Sequence, residues 1–326
     1  SGEKAIQTFF TEGPGSTLRD SVSPEFWSDI THFEGNANAF RLLTHRFCGR
    51  RPGGFVMTYP TLASIVKYPY SSMLAGKKGK FGFFATEREV YERIADDLGL
   101  RRLSAPGEPL RCARHPLVYL VEAADDICYE IMDIEDAHKL RLLSYEETER
   151  LLLGFFAAEE QEHIRQRMVE EQLDDLNERV VYMRASAIGR LEGECVRAFV
   201  DNEGSILAGD FEGSLVEAVS PAVRYAYRRC AEVSRKRIYR SKPVLDVELS
   251  GYKIMATLME QMVDAVLHPD RYYSRQLIGR VSSQYDIASP DLETRLMAVI
   301  DYISGMTDIY ALDVYQKMMG MALPIV

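Results

Sequence analysis

From residue 86 onward, apolar side chains recur at three- and four-residue intervals over long stretches, the spacing of helices that bury one face. Thr86 with Glu89 precedes "EVYERIADDLGL", and Ser144 with Glu147 precedes "TERLLLGFF". Both pairs have the spacing of a capping box, in which a hydroxyl and a carboxylate close the first helical turn. Further stretches of the same period run from 159 to 202 and from 245 to 267. Residues 1 to 85 differ: they are rich in Gly, Pro, Ser and aromatics, and a short helical stretch such as "EGNANAFRLLTHRF" is cut by "CGRRPGG". Alternating strand patterns are few, and neither a repeat of about 20–50 residues nor a low-complexity tract is present. The pattern predicts an all-α fold, one bundle in a single domain spanning 1–326, loop-rich over residues 1–85 and helical over the remainder, 86–326.

One helical stretch is unusual in its charge. "EAADDICYEIMD", residues 122 to 133, holds five carboxylates and no Lys or Arg. On a helical wheel with Asp125 at zero, Leu117, Leu120, Val121, Ala124, Ile127, Cys128, Ile131, Met132 and Ile134 fall between about 180° and 340°. They predict a broad apolar face. Glu122, Asp126 and Glu130 form an i, i+4, i+8 series on the polar face. Like charges at that spacing cost about 0.2–0.5 kcal/mol per pair, so a cation from elsewhere in the fold would relieve them. Asp125, Tyr129 and Asp133 form a second such series, a stripe about 12 Å long. A carboxylate, a phenol ring and a second carboxylate so arranged suit a metal ion, a sugar face and a sugar hydroxyl.

Composition adds bounds. The 326 residues are 46% hydrophobic and 27% charged, enough for a large core. No apolar run approaches the roughly 18 residues that cross a bilayer, and "SGEKAIQTFF" lacks the features of a signal peptide, so no membrane is expected and the cytoplasm is the default location. Five widely spread cysteines without a CxxC pair predict reduced thiols. A net charge of −10 argues against a molecule that is all nucleic-acid surface. Yet "RYAYRRCAEVSRKRIYRSK", Arg224 to Lys242, carries eight basic residues against Glu232 alone. It reads as a solvated helix face or as a contact for single-stranded DNA.

"HPLVYLVEAADDICYEIMDIEDA" resembles the corresponding helix of bacterial deoxyguanosine triphosphate triphosphohydrolases, in the HD-domain phosphohydrolase superfamily. "SGEKAI", "FEGNANAFRLL", "TLASIVKYPY", "KFGFF", "MRASAIGRL", "SGYKI" and "DYISGMTDIYAL" agree with that family in the same order, so the resemblance covers nearly the whole chain. It implies an HD-domain-like helical bundle that cleaves dGTP, or dNTPs more widely, to a deoxynucleoside and inorganic triphosphate. By the motif, Asp125 corresponds to a metal ligand for Mg²⁺ or Mn²⁺, Tyr129 to the ring against the deoxyribose, and Asp133 to the acceptor of its 3′-hydroxyl. Lys67 and Lys80 match triphosphate-binding lysines, and Asn36 and Arg41 sit in a block that resembles a section of the substrate pocket. Family members commonly form hexamers or tetramers, which implies a homo-oligomer.

The family pattern ahead of "GEKAI" reads approximately H-D-x-G-x-P-P-F-G-H-x-G-E, and Ser1 stands at the x of the last H-x-G-E. Glu3 corresponds to the acidic partner of the active-site histidine in that pattern. The first His, the His-Asp pair and that active-site His are therefore expected to be missing, leaving an N-terminally truncated bundle that is inactive alone. His32, His45, His115, His138, His163 and His268 are read as structural. Asp125 by itself is expected to hold a divalent ion weakly or not at all. A rival reading is a non-enzymatic nucleotide sensor or single-stranded-DNA-binding protein. Another is an HD-type hydrolase of a nucleoside monophosphate or cyclic dinucleotide, which the two lysines and the Tyr129–Asp133 pair disfavour.

Overall fold

The computed structural model describes residues 2–321; Ser1 lies outside the described residues. As the pattern predicts, the fold is all-α. Among the described residues the only strand-like pairings are isolated bridges, Tyr70 with Arg111, Ser71 with Phe83 and Arg102 with Cys112. No helix among them is long and apolar enough to cross a membrane. The chain packs as two compact units, Ser1–Arg114 with Val247–Val326, and His115–Asp246.

The first unit holds α1 (Gly2–Thr11), α2 (Pro24–Thr31), α3 (Gly35–Thr44), α4 (Tyr59–Ser64) and α5 (Arg88–Asp97). The stretch read as loop-heavy thus contains four short helices, because each presents aromatic or aliphatic side chains to a core. Phe9, Phe10, Phe26, Ile30 and Phe33 are buried there with Leu258, Met262, Leu296 and Ile300. A smaller cluster joins Phe40, Leu62, Val66, Phe83, Tyr91 and Ile94, with Phe83 stacked on Tyr91 at 4.5 Å.

The second unit is built on α6 (Pro116–Lys139), followed by α7 (Tyr145–Leu152), α8 (Ala158–Glu170), α9 (Leu176–Asp201), α10 (Glu203–Ala208), α11 (Leu215–Ala218) and α12 (Pro221–Val233). A π-helical turn, Ser234–Ile238, ends α12. Helices α13 (Lys242–Leu267), α14 (Tyr272–Arg280), α15 (Leu292–Ser304) and α16 (Asp308–Met318) complete the chain, most of them in the first unit.

Helix starts follow side-chain capping. Ser144 forms the capping box read from the sequence: its Oγ accepts from Glu147 N at 3.2 Å and Ser144 N donates to Glu147 Oε2 at 3.0 Å. The corresponding box at Thr86 does not form. Ala85–Glu87 winds as a 3-10 turn directly into α5, and the Thr86 hydroxyl instead donates to Glu87 Oε2 at 2.7 Å. Helix α6 also departs from its wheel. Tyr119, Ala123, Ile127, Ile131, Ile134 and Ala137 are buried, while Leu117, Leu120, Val121, Ala124, Cys128 and Met132 are exposed. The buried stripe is narrower than the apolar arc and turned toward Ala123, the side where α9, α11 and α12 pack. All five cysteines are free thiols, with Cys112, Cys195 and Cys230 buried.

Arg41 ties the first unit together. Its Nε and Nη2 donate to the two oxygens of Asp301 on α15, both at 2.8 Å. Nη1 donates to Glu87 Oε1 at 2.6 Å and to Thr86 Oγ1 at 3.0 Å. The three charged residues are 3%, 2% and 2% exposed for Arg41, Glu87 and Asp301. Burial lowers the guanidinium pKa, but the Asp301 and Glu87 contacts outweigh it and the net shift is upward.

Asp29 of α2 is buried with less support. Its Oδ2 accepts from Ala85 N at 2.7 Å, while Oδ1 has no partner and the nearby Ser72 hydroxyl makes no hydrogen bond of good geometry. Burial therefore pushes its pKa up to about 7, only partly offset by Ser72 and the Ala85 amide.

Two outcomes follow for stability. Arg41→Met strands two buried carboxylates and should cost about 3–5 kcal/mol in urea unfolding at neutral pH; a loss below about 1 kcal/mol would contradict the network's role. Asp29 binds its proton more tightly folded than unfolded, so its contribution is favourable at acid pH and is lost as pH rises from about 4 to about 7. Asp29→Asn should flatten that decline, by up to about 4 kcal/mol, in unfolding curves measured across the range. A variant whose stability keeps the parent's pH slope would refute the assignment.

Candidate functional site

The residues singled out by sequence fall into two groups, one in each unit. In the first unit the organising residue is Glu34, 1% exposed, which caps α3. Its Oε2 accepts from Asn36 N at 2.7 Å and Ala37 N at 3.3 Å. Its Oε1 accepts from the Asn36 side-chain amide at 2.9 Å and from Lys80 Nζ at 2.7 Å. Glu3 joins from α1: its Oε1 accepts from Gly35 N at 2.9 Å, and its Oε2 stands 3.6 Å from Lys80 Nζ. A side chain at position 35 would bring Cβ to 2.6 Å from Glu3 Oε1, so the close approach needs glycine. Two carboxylates thus occupy the positive end of the α3 dipole, where amides point outward. Partial burial lowers the Lys80 pKa, but the hydrogen bond to Glu34 and the charge of Glu3 raise it further, so the ammonium is secured.

Lys67 lies beside this cluster. Its Nζ sits 5.9 Å from the centre of the Tyr68 ring, a cation–π distance, and its carbonyl accepts from Arg114 Nε at 3.0 Å. Tyr68 also lies within electrostatic reach of Lys80. The two lysine-bearing segments run side by side because Gly82 N donates to Tyr70 O at 3.0 Å, and a Cβ at Gly82 would meet Tyr68 O at 2.2 Å. Glu3, Asn36 and Lys80 are therefore brought together, with Lys67 on the neighbouring segment. Arg41 is not: it shares the buried face of α3 with Ala37 and Thr44, and its guanidinium is wholly engaged by Asp301, Glu87 and Thr86.

In the second unit, Asp125, Tyr129 and Asp133 line one side of α6 as the periodicity required. Asp125 is exposed and the Tyr129 ring is 68% exposed, open for a ligand to pack on. Asp133 already holds a hydroxyl: Tyr239 Oη donates to its Oδ2 at 2.5 Å. Partial burial and this carboxylate together drive the Tyr239 pKa upward, so the phenol keeps its proton. The π-helical turn brings Tyr239 there, closed by Tyr239 N donating to Ser234 O at 3.0 Å. At the other end of the same turn, Ser234 Oγ donates to Glu130 Oε1 at 2.8 Å. Burial raises the Glu130 pKa, with Ser234 and Arg235 offsetting some of the rise. One member of the uncompensated acidic series thus finds its relief in the basic stretch.

Most of that stretch is spent on such pairing. Arg228 bonds Glu217, Arg229 and Lys236 share Glu232 at 3.1 and 2.6 Å, and Arg237 reaches Glu147 at 2.6 Å. Two of the histidines make local contacts. His115 Nδ1 caps α6 by accepting from Leu117 N at 3.2 Å, and His32 Nδ1 lies 2.9 Å from Ser28 O. Among the described residues no group of three His, Cys, Asp or Glu side chains stands close enough to hold a metal ion.

Glu34 and Tyr239 escaped the sequence reading. Glu34 stands in the "FEGNANAF" block, but a glutamate is an uncommon cap and its burial left no periodic signal. Tyr239 stands within the basic stretch, whose charge drew attention away from its single useful hydroxyl.

Residues 218–317 match the phosphohydrolase-associated domain. Over 333 residues the chain is 35% identical to a deoxyguanosinetriphosphate triphosphohydrolase-like protein of Pseudomonas aeruginosa, covering 99% of this chain and 74% of the relative. It is 32% identical over 337 residues to a protein of the same description from Synechocystis sp., covering 99% and 73%. With the deoxyguanosinetriphosphate triphosphohydrolase of Yersinia enterocolitica the identity is 25% over 367 residues, covering 94% and 67%. The chain belongs to the deoxyguanosinetriphosphate triphosphohydrolase family.

Proposed function

We propose that these residues serve the hydrolysis of dGTP, or of dNTPs more widely, to deoxynucleoside and inorganic triphosphate. The observation that carries this reading is the Asp133 carboxylate accepting a hydroxyl hydrogen bond on the α6 stripe it shares with the open Tyr129 ring. A deoxyribose 3′-hydroxyl needs the same acceptor, and a ring against C2′ leaves little room for a 2′-hydroxyl. Water attacks the α-phosphorus, the bond to the 5′-oxygen breaks, and that oxygen takes up a proton as the nucleoside leaves. Lys67 and Lys80 hold the triphosphate, which carries roughly four negative charges, and stabilise the charge that grows on it. Lys80 can do so without moving, since Glu34 and Glu3 fix its ammonium. Glu3, with one oxygen pinned by Gly35 N, is placed to orient a proton-carrying group.

Asp125, exposed on α6, would help to hold a divalent ion that polarises the attacking water, and among the described residues no group of three His, Cys, Asp or Glu side chains completes its ligands. This polypeptide alone should therefore release no triphosphate from dGTP in the presence of Mg²⁺ or Mn²⁺. A chain that also carries the first His, the His-Asp pair and the active-site His of the family pattern should release triphosphate under the same conditions, read by ion chromatography. Release of phosphate or diphosphate would refute the reaction. In the chain that carries those histidines, Lys80→Gln should lower kcat/KM for dGTP by about tenfold to a hundredfold. Tyr239→Phe should lower it by about threefold to tenfold through loss of Asp133 orientation. Unchanged kinetics in both variants would remove these residues from the site.

A further inference from the structure

A cavity of about 630 Å³ opens in the first unit between the loop that follows α3 and residues Gln284 and Tyr285. That is the size of a small-molecule site, and none of the residues assigned above to the nucleotide lines it. Its walls combine rings with cations. Phe47 stands edge-on to His45 at 4.8 Å and to Tyr285 at 5.8 Å, and Phe55 lines the mouth. Arg50 and Arg51 also line it.

The charges are the informative feature. Elsewhere in this unit Arg41, Lys80, Arg102, Arg271 and Lys317 each hold a carboxylate, while Lys4, Arg19, Lys77 and Arg93 hold none but do not line this cavity. The guanidiniums of Arg50 and Arg51 have no partner among the described residues, in a chain of net charge −10 with acids to spare. Adjacent unpaired cations repel, and an anion between them removes that cost. His45 does not add to the supply of donors, because its ring nitrogens face Arg41 at 3.1 and 3.3 Å and Glu87 at 3.2 Å.

The loop is also held in place. Cys48 N donates to Gln284 O at 2.9 Å and Phe55 N to Leu43 O at 3.0 Å, fixing both ends against the cavity walls. Gly54 has φ +56, and a Cβ there would fall 2.4 Å from Leu43 O, so glycine is needed for the loop to sit this close to α3.

We propose that this cavity binds a planar organic phosphate, its aromatic ring against Phe47 and Tyr285 and its phosphate between Arg50 and Arg51. Two neighbouring guanidiniums suit a phosphate dianion better than a single carboxylate, since they supply donors to more than two oxygens. The aromatic walls favour a flat ring over an aliphatic chain.

Calorimetric titration of the chain with adenosine 5′-monophosphate tests the proposal, with adenosine and inorganic phosphate as partial probes. The monophosphate should bind, and each partial probe should bind at least about tenfold more weakly. Arg50→Gln with Arg51→Gln should weaken the monophosphate by at least about tenfold while leaving the circular dichroism melt unchanged. Phe47→Leu should weaken it several-fold. Lys67→Gln with Lys80→Gln should leave it unchanged, which separates this site from the one proposed for dGTP. No binding of the monophosphate, equal binding of inorganic phosphate, or loss of binding in the lysine variant but not the arginine variant would overturn the proposal.

Discussion

The first unit depends on one buried cation. Arg41 neutralises two carboxylates that come from distant regions of the chain, Glu87 from the turn before α5 and Asp301 from α15. Removing three charges from water is costly, and the cost is met only because the planar guanidinium offers its donors to both acids at once. A lysine has no such fork. The network therefore fixes the roll of α3 about its axis, and everything else that α3 carries inherits that orientation.

What α3 carries is the first group of candidate residues. Its N-terminus holds Glu34, through which Asn36 and Lys80 are placed, and the amide of Gly35 that anchors Glu3. Its C-terminal turn holds Arg41 and leads to His45 and the Phe47 wall. A ten-residue helix spans only about 15 Å, so a core ion network and a surface cluster of acids around one lysine are rigidly linked. The candidate cluster at one end thus rests on a buried side chain at the other.

Much of this was legible in the sequence. The helical period from residue 86 onward gave the fold class, and the Ser144–Glu147 spacing gave a helix start that the structure reproduces. The i, i+4, i+8 spacing placed Asp125, Tyr129 and Asp133 on one side of α6. What could not be read was where a helix face meets its partner. The apolar arc of α6 is wider than the stripe that α9, α11 and α12 cover, so periodicity marked candidates without selecting Ala123 and Ile127 over Leu117 and Val121. Arg41 failed for a related reason: a motif assigns a residue to a block, whereas only packing shows that its side chain turns inward beside Ala37 and Thr44. The two lysine-bearing segments meet at Gly82, a contact that local pattern does not encode.

The π-helical turn at Ser234–Ile238 has a consequence for how this site tolerates change in length. Its hydrogen bond spans five residues where an α-helix spans four, so the turn holds one residue more than regular winding would. Deleting one residue between Ser234 and Tyr239 would let the segment relax to ordinary α-helix with the Tyr239 amide still bonded to Ser234 O, so the residues after it keep their direction. Tyr239 would stay on the side of Asp133 and Ser234 on that of Glu130, whereas a deletion in the regular winding of α12 would rotate both by about 100°. The turn is thus a place where the chain can lose a residue and still deliver the Tyr239 hydroxyl to Asp133.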